Sequence, residues 1–249
     1  MVDIHSHILW GLDDGAQTLE ESVAMLQLAA ESGTTDIVAT PHANHRYSFQ
    51  PEVIQQRMKE VSAAISGKPR IHRGCDFHLS FENVQSALEN PHKYSINGGA
   101  YLLVEFPNAP LTGMDRILTA LLDLGLIPIM THPERHMQLS GIPKEFLEWI
   151  QMGCLVQVTA QSLLGRFGKQ ARESAWNMMR RGLVHFIASD AHDTTDRPPR
   201  LDAAFEAIAK RIGQAQAELL CIRNPQAVIA GEAIAADAPK PKPWYRWGQ

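Results

Sequence analysis

The sequence predicts an α/β protein in which seven strand–helix units close into a barrel. Three observations predict it. Short apolar runs alternate with longer amphipathic segments along residues 2–189, and glycines recur where each helix would end before the next strand. The polar residues capable of chemistry fall at or just beyond the C-terminal ends of the apolar runs. Strand–helix units in series imply a parallel sheet, and a closed barrel is the natural way to use seven of them. Barrel enzymes carry their active site on the face formed by the C-terminal strand ends.

The first strand is residues 2–6. Thr18-Leu-Glu-Glu21 is a capping box and opens a helix with Val23, Leu26 and Ala30 inward. The second strand is 36–40. Pro51 suits the first turn of the next helix, whose Ile54, Met58, Val61 and Ile65 recur at helical spacing. Further strands are expected at 71–76, 101–106, 127–131, 155–159 and 184–189. Gly33, Gly67, Gly125, Gly153 and Gly182 sit just past helix ends, where a left-handed residue closes the last turn. After Pro198 the chain reads as two helices, 199–212 and roughly 214–231, that cover the outside. Residues 1–235 therefore form one domain. The segment 236–249, with Pro239-Lys-Pro-Lys-Pro243-Trp-Tyr-Arg-Trp, is a Pro-rich tail or packing arm, extended by composition.

A chain of 249 residues can bury one large core, and its 45% hydrophobic and 20% charged residues are ordinary for a globular protein. The net charge of −4, with no basic run beyond pairs such as Arg180-Arg181, argues against a nucleic-acid surface. No apolar stretch approaches a membrane span, and the N-terminus has no signal-peptide pattern. Cys75, Cys154 and Cys221 are odd in number and widely spaced, so a disulfide framework is not expected and a cytoplasmic location is.

Asp3-Ile-His-Ser-His7 opens the chain and Asp190-Ala-His192 answers it near the far end of the domain. Alternate side chains of an extended strand share a face, so Asp3, His5 and His7 are expected on one side, as are Asp190 and His192. Imidazole and carboxylate are ligands that divalent transition metals accept readily, which makes a metallohydrolase the leading reading. His42, Asp76, Glu105 and His132 follow the same rim. Glu105, flanked by apolar residues, needs a metal or an arginine as companion. His72, His92 and His185 are read as structural.

Asp3-Ile-His-Ser-His-Ile-Leu-Trp-Gly-Leu-Asp-Asp-Gly15, Ala39-Thr-Pro-His42, Thr131-His-Pro-Glu-Arg-His136 and Ala188-Ser-Asp-Ala-His192 resemble the PHP superfamily. Within it the chain most resembles the bacterial protein-tyrosine phosphatases of capsule and exopolysaccharide synthesis. Asp13-Asp14-Gly15 and Pro133-Glu134-Arg135 point to that branch, and the match runs from residue 3 to about 230, including Asn224-Pro-Gln-Ala. The resemblance implies a distorted (β/α)₇ TIM-like barrel, the PHP fold, with three divalent metal ions, usually manganese, with iron or zinc as alternatives. It implies that His5, His7, Asp76 and Asp190 hold one ion, that Asp76, Glu105 and His132 hold the second, and that Asp14, His42 and His192 hold the third. Asp14 is preferred to Asp13 by its place in the motif. Asp76 is a departure: similar proteins commonly have glutamate there, one methylene longer. The role of His45 stays open.

A multinuclear site can lower the pKa of bound water and present hydroxide to phosphorus. Arginine suits the phosphoryl oxygens because its planar donors match phosphate in pairs. Arg135 and Arg197 leave the rim at neighbouring places, and the resemblance assigns them that role. The expected partner is a phosphotyrosine protein, the tyrosine kinase of polysaccharide export, with no nucleic acid and no membrane insertion. Alternatives are a phosphatase of small metabolites such as histidinol phosphate, or a non-enzymatic regulatory module on the same fold. A cysteine-based tyrosine phosphatase needs arginine six positions after its cysteine. Phe81, Ala160 and Ala227 stand there, which excludes that chemistry. No Gly-x-Ser-x-Gly elbow, phosphate-binding glycine loop or zinc-finger spacing is present.

Overall fold

The structure, a computed structural model, describes residues 1–234. The expected tail at 236–249 and the domain end at 235 lie outside the described residues. Strand β1 (Val2–Ser6) leads to helix α1 (Leu19–Glu31), and β2 (Asp36–Ala39) with β3 (His42–Ala43) leads to α2 (Pro51–Ala64). Next come β4 (Arg70–Arg73) and β5 (Asp76–His78) with α3 (Phe81–Glu89), then β6 (Tyr101–Glu105) with α4 (Met114–Asp123). The series continues with β7 (Ile127–Thr131) and α5 (Lys144–Gln151), then β8 (Leu155–Thr159) with α6 (Ala160–Leu164) and α7 (Gly168–Arg180). Strand β9 (Phe186–Ala188) precedes α8 (Asp202–Arg211), α9 (Gln214–Glu218) and α10 (Asn224–Ala230).

All pairings are parallel, in the orders β1-β2-β4 and β3-β5-β6-β7-β8-β9. Nine strands still make seven staves, because β2 with β3 and β4 with β5 each form one broken stave; β3 lies beyond the strand expected at 36–40, and β4 with β5 replaces the one expected at 71–76. Pro41 breaks the first, since it has no N–H to give to a ladder. Gly74 breaks the second: a Cβ there would stand 2.7 Å from Val38 Cγ1, so the backbone passes too close for any side chain. Just past β9 the chain returns to β1, with His7 N donating to Ala191 O and Asp190 N to His5 O, both 2.8 Å, which links the two sheets on that side. These breaks are the distortion of the barrel.

Buried residues of β1, β2, β6, β7 and β9, among them Ile4, Val38, Leu103, Ile129 and Phe186, form one cluster, and Val228 of α10 packs on it. A larger cluster lies between the strands β5–β9 and α3–α8, and a third lies under α1 and α2.

Several local expectations need correction. The Thr18 side chain does accept from Glu21 N at 3.2 Å, but the Glu21 carboxylate takes the Gln17 N–H rather than that of Thr18. The inward face of α1 is Ser22, Met25, Leu26 and Ala29, not Val23 and Ala30; the helix is turned by about one residue from the apolar stripe. The last strand covers 186–188 rather than 184–189. Between β8 and β9 there are two helices, and the final helical stretch contains a π-helical turn, Leu219–Arg223. The five helix-ending glycines all have positive φ, as expected.

Candidate metal centre

The strand ends carry the site. Strand β1 shifts register between Asp3 and Ser6, which separates Asp3 from the two histidines after it. Asp3 Oδ1 accepts the backbone N–H of Ser189 at 3.0 Å and of His5 at 3.3 Å, so this buried carboxylate ties β1 to β9 and is not at the rim cluster. His5 and His7 point instead at each other and at Asp190: their Nε2 atoms are 3.3 Å apart and lie 3.4 and 3.5 Å from Asp190 Oδ1. His5 Nε2 is also 3.6 Å from Asp76 Oδ2. His5, His7 and Asp190, expected to hold the first ion, are thus together, and Asp76 approaches them through His5 alone.

The third expected set comes together, and the second does so only in part. Asp14 Oδ1 lies 3.4 Å from His42 Nε2 and 3.6 Å from His192 Nε2. Glu105 Oε1 is 3.8 Å from His132 Nε2. His42 differs from expectation in facing two ways, because its Nδ1 is 3.1 Å from Asp76 Oδ2 and 3.9 Å from Glu105 Oε2. Three groups of possible ligands have their donor atoms within 4.8 Å of one another: His7, Asp14, His42 and His192; His5, His7 and Asp190; and His42, Asp76 and Glu105. His132 borders the last group without joining it.

Several features of the protein itself fit this donor set to divalent cations. Both Asp76 oxygens are buried and accept no hydrogen bond, a costly arrangement for a carboxylate unless a cation compensates it. Three histidines present the same nitrogen to the centre. His5 Nδ1 is 2.9 Å from the Gln157 amide oxygen, His7 Nδ1 is 2.7 Å from Asp13, and His192 Nδ1 is 3.0 Å from the Asp190 carbonyl. Each such bond has Nδ1–H donating to oxygen, which turns the Nε2 lone pair inward. The structure thereby separates the two aspartates of the motif: Asp14 belongs to the cluster, and Asp13 orients His7 while accepting Gly15 N and His42 N at 3.0 Å each. Gly15 is required by close approach, since a Cβ there would stand 2.1 Å from His7 O.

Charge states differ across the cluster, with His5 and His7 held up against burial by the neighbouring carboxylates and His132 and His192 pushed down. Burial works to raise the Asp190 carboxyl, but Arg135 and His5 overcome it and hold the group well below the usual range. Asp76 is likewise lowered, with burial outweighed by His5 and His42. Burial, then the positive charge of Arg135, pushes His132 down, and burial with His7 pushes His192 down to about 2, so both imidazoles are neutral. Burial opposes charging of His7 too, yet Asp13 and Asp190 push it up to about 10. A proton and a cation therefore compete for its Nε2.

Two residues of the cluster hold strained backbone. His132 has φ of 34° and Asp190 of 51°, values uncommon outside glycine. Neighbouring strands pin both: His132 N donates to Gln157 O at 2.9 Å, and Asp190 N to His5 O at 2.8 Å.

The two arginines converge as expected. Arg135 Nη2 and Arg197 Nη2 donate to the same Asp190 Oδ2 at 2.5 and 2.6 Å, while Asp190 Oδ1 faces the histidines. Arg135 is carried by a turn whose Glu134 is buried against β8, accepting Ser162 Oγ at 2.6 Å and Thr159 N at 3.1 Å. Arg197 is set by Asp193, whose Oδ1 accepts the N–H groups of Thr195, Asp196 and Arg197. The ring of Phe167, just before α7, lies 4.4 Å from the Arg135 guanidinium carbon and 5.7 Å from that of Arg197.

Phe167 and His78 are the residues that sequence reasoning missed. His78 Nδ1 is 3.4 Å from Glu105 Oε2, and its spacing in Asp76-x-His78 repeats that of His5-x-His7, which could have revealed it. Nothing local marks Phe167. His136 Nε2 donates to Pro107 O at 3.1 Å and its Nδ1 accepts Gln138 N, so both nitrogens are engaged; His45 is exposed away from these contacts. His185 is structural, with Nδ1 accepting Val156 N at 3.0 Å, and His72 pairs with Asp36. A cavity of about 160 Å³ opens beside His132 and Arg135, walled by Phe106 and His136.

Comparison with known proteins gives a consistent result. Residues 1–230 match the family model described as capsular polysaccharide synthesis, CpsB/CapC. The chain is 34% identical to the putative tyrosine-protein phosphatase CapC of Staphylococcus aureus, over 98% of this chain and 99% of that one. It is 30% identical to the tyrosine-protein phosphatase CpsB of Streptococcus pneumoniae, over 94% of this chain and all of the relative. A solved structure from work on YwqE of Bacillus subtilis and CpsB of Streptococcus pneumoniae, metal-dependent tyrosine phosphatases, superposes with a TM-score of 0.89 at 29% identity, covering 97% of this chain and 99% of that one.

Proposed function

The chain belongs to the capsular polysaccharide synthesis family CpsB/CapC, and we infer from this membership and the geometry of its rim that it is a metal-dependent tyrosine-protein phosphatase. The observation that carries the reading is the convergence of eight imidazole and carboxylate side chains, with His132 beside Glu105, next to two arginines that share one carboxylate.

We assign the ligand roles to His5, His7, Asp14, His42, Asp76, Glu105, His132, Asp190 and His192, for three divalent ions with manganese preferred. Such ions supply a water acidic enough to serve as nucleophile and offset phosphoryl charge. The protein's own groups do the rest. Gln157, Asp13 and the Asp190 carbonyl hold three imidazoles in the tautomer that ligation needs. Arg135 and Arg197 spend one N–H each on Asp190 and keep further donors for phosphoryl oxygens, where charge grows in the transition state. Phe167 supports both guanidinium planes.

The leaving group favours tyrosine. A phenol has a pKa of ≈10, so phenolate departs with little protonation, whereas an aliphatic alkoxide needs an acid. Both nitrogens of His136 are tied to backbone, which agrees with that demand. The substrate we propose is a tyrosine kinase of polysaccharide export. A cytoplasmic location is supported by three free, buried cysteines. Among the described residues no helix is long and apolar enough to cross a membrane.

The test is kcat/KM with manganese for matched phosphotyrosine and phosphoserine peptides and for histidinol phosphate. The phosphotyrosine peptide is expected to lead by roughly 10²-fold or more, the scale of one missing proton-transfer step. A preference for phosphoserine or histidinol phosphate would overturn the reading.

A further inference from the structure

A concave surface of about 580 Å³ lies along α7, lined by Leu164, Lys169, Arg172, Glu173, Trp176, Arg180 and Arg211 among others. Its charge runs against that of the chain, whose net is −4. Four cations line it and one acid does. That acid, Glu173, is 3.8 Å from Lys169. Arg211 lies over the Trp176 ring at 4.4 Å, and among the described residues Arg172, Arg180 and Arg211 make no ion pair. Leu164 at the groove's edge is 41% exposed, an apolar contact beside the cations.

The groove touches the metal centre through one short turn. Gly165 and Gly168 line it, and Phe167 between them is the ring that supports Arg135 and Arg197. Arg166, in the same turn, donates to Thr195 O at 3.2 Å, tying this turn to the loop that carries Arg197. The Gly165–Gly168 turn thus stands between the groove and the two arginines of the metal centre.

We propose that this groove docks an acidic stretch of the substrate polypeptide flanking the phosphotyrosine, and so selects the protein substrate; the proposal rests on the phosphatase reading above. Exposed arginines facing carboxylates add little individually but act together, and they steer association through the field that they share. A concave floor with Trp176 and Leu164 suits a chain segment better than a flat lipid surface. The C-terminal segment of this chain carries Lys240, Lys242 and Arg246 against Asp237, so its charge disfavours it as the occupant.

The test compares the native enzyme with Arg172→Gln/Arg180→Gln, measured with manganese on p-nitrophenyl phosphate and on two phosphotyrosine peptides, one with Asp/Glu flanks and one with Ser/Gly flanks. KM for the acidic peptide is expected to rise about tenfold, the combined effect of a few exposed pairs, with kcat unchanged. The neutral peptide and p-nitrophenyl phosphate should show no change. Equal KM on the acidic peptide, or a parallel loss on p-nitrophenyl phosphate, overturns the proposal. If the native protein hydrolyses none of these compounds, the phosphatase reading fails, and the groove is judged by fluorescence anisotropy. A labelled, unphosphorylated acidic peptide should then bind the native chain and not the double variant. Failure to bind, or binding to vesicles rich in anionic lipid in preference to the peptide, sinks the groove assignment.

Discussion

Asp76 carries a concentrated electrostatic burden in this protein. It is fully buried, neither oxygen accepts a hydrogen bond, and it stands between His5 and His42. If it joins two metal ions as we propose, Asp76→Asn keeps its size and removes its charge, and metal affinity should fall by roughly 10²-fold, as for other perturbed ligand sets. Asp76→Glu should retain metal, because it keeps the charged carboxylate and lengthens its reach by one methylene. Metal content per chain after dialysis decides the matter: equal retention by the Asn variant would remove Asp76 from the ligand set. Phe167 gives a second prediction at this scale. Phe167→Leu keeps an apolar side chain but loses the ring face under the guanidinium groups. A cation–π contact of this kind is worth about 0.5–2 kcal/mol, so kcat/KM should drop between about twofold and thirtyfold while metal content stays native. Loss of metal in that variant would show that the ring supports the fold rather than the arginines.

At the level of elements, the link from β1 to α1 decides the site. Asp13 and Asp14 are adjacent in sequence yet serve different ends, one orienting His7 and the other entering the cluster. The turn that separates them is pressed on His7 at Gly15, where even a methyl group would overlap the carbonyl. Gly15→Ala should therefore push both aspartates off their partners. The expected outcome is a stability loss of about 1–3 kcal/mol, the usual cost of overpacking, together with reduced metal content. Thermal unfolding and elemental analysis measure the two, and native values for both would show that this turn tolerates displacement.

Across the whole molecule, stability should depend on pH through a residue remote from the metals. His185 is buried, and burial pulls its pKa down to about 4 from 6.5. The unfolded chain therefore binds a proton that the folded chain refuses as pH falls. This cost is absent above pH ~6.5 and grows until pH ~4, reaching about 3 kcal/mol for a shift of that size. His185→Asn keeps an acceptor near Val156 N without a titrating group, so its unfolding free energy should vary less over that window. The measurement is urea unfolding of both chains with chelator present, so that ligand protonation is common to them. Identical pH slopes would mean that His185 takes up its proton equally well in the folded and unfolded chains.

What the sequence by itself determined is the barrel and its rim. Alternation of apolar runs with helical periodicity is a local property, and so is the place where each run stops, which is why His5, His42, Asp76, Glu105, His132 and Asp190 could be put on one rim. The break at Gly74 split one expected strand, β3 followed Pro41 beyond the end of another, and the face of α1 turned by a residue because packing against the sheet chooses among nearby apolar stripes. The tertiary structure alone decided which atom each rim residue faces. Register across β1 took Asp3 out of the cluster, positive φ at His132 and Asp190 aimed their side chains, and a remote turn brought Phe167 beneath two arginines. The same holds for charge. Lys169, Arg172, Arg180 and Arg211 are scattered along a chain of net negative charge, and only folding gathers them into one basic groove. Spacing along a strand or helix reports neighbours within a few residues, whereas contacts made across the barrel depend on the relative placement of elements far apart in sequence.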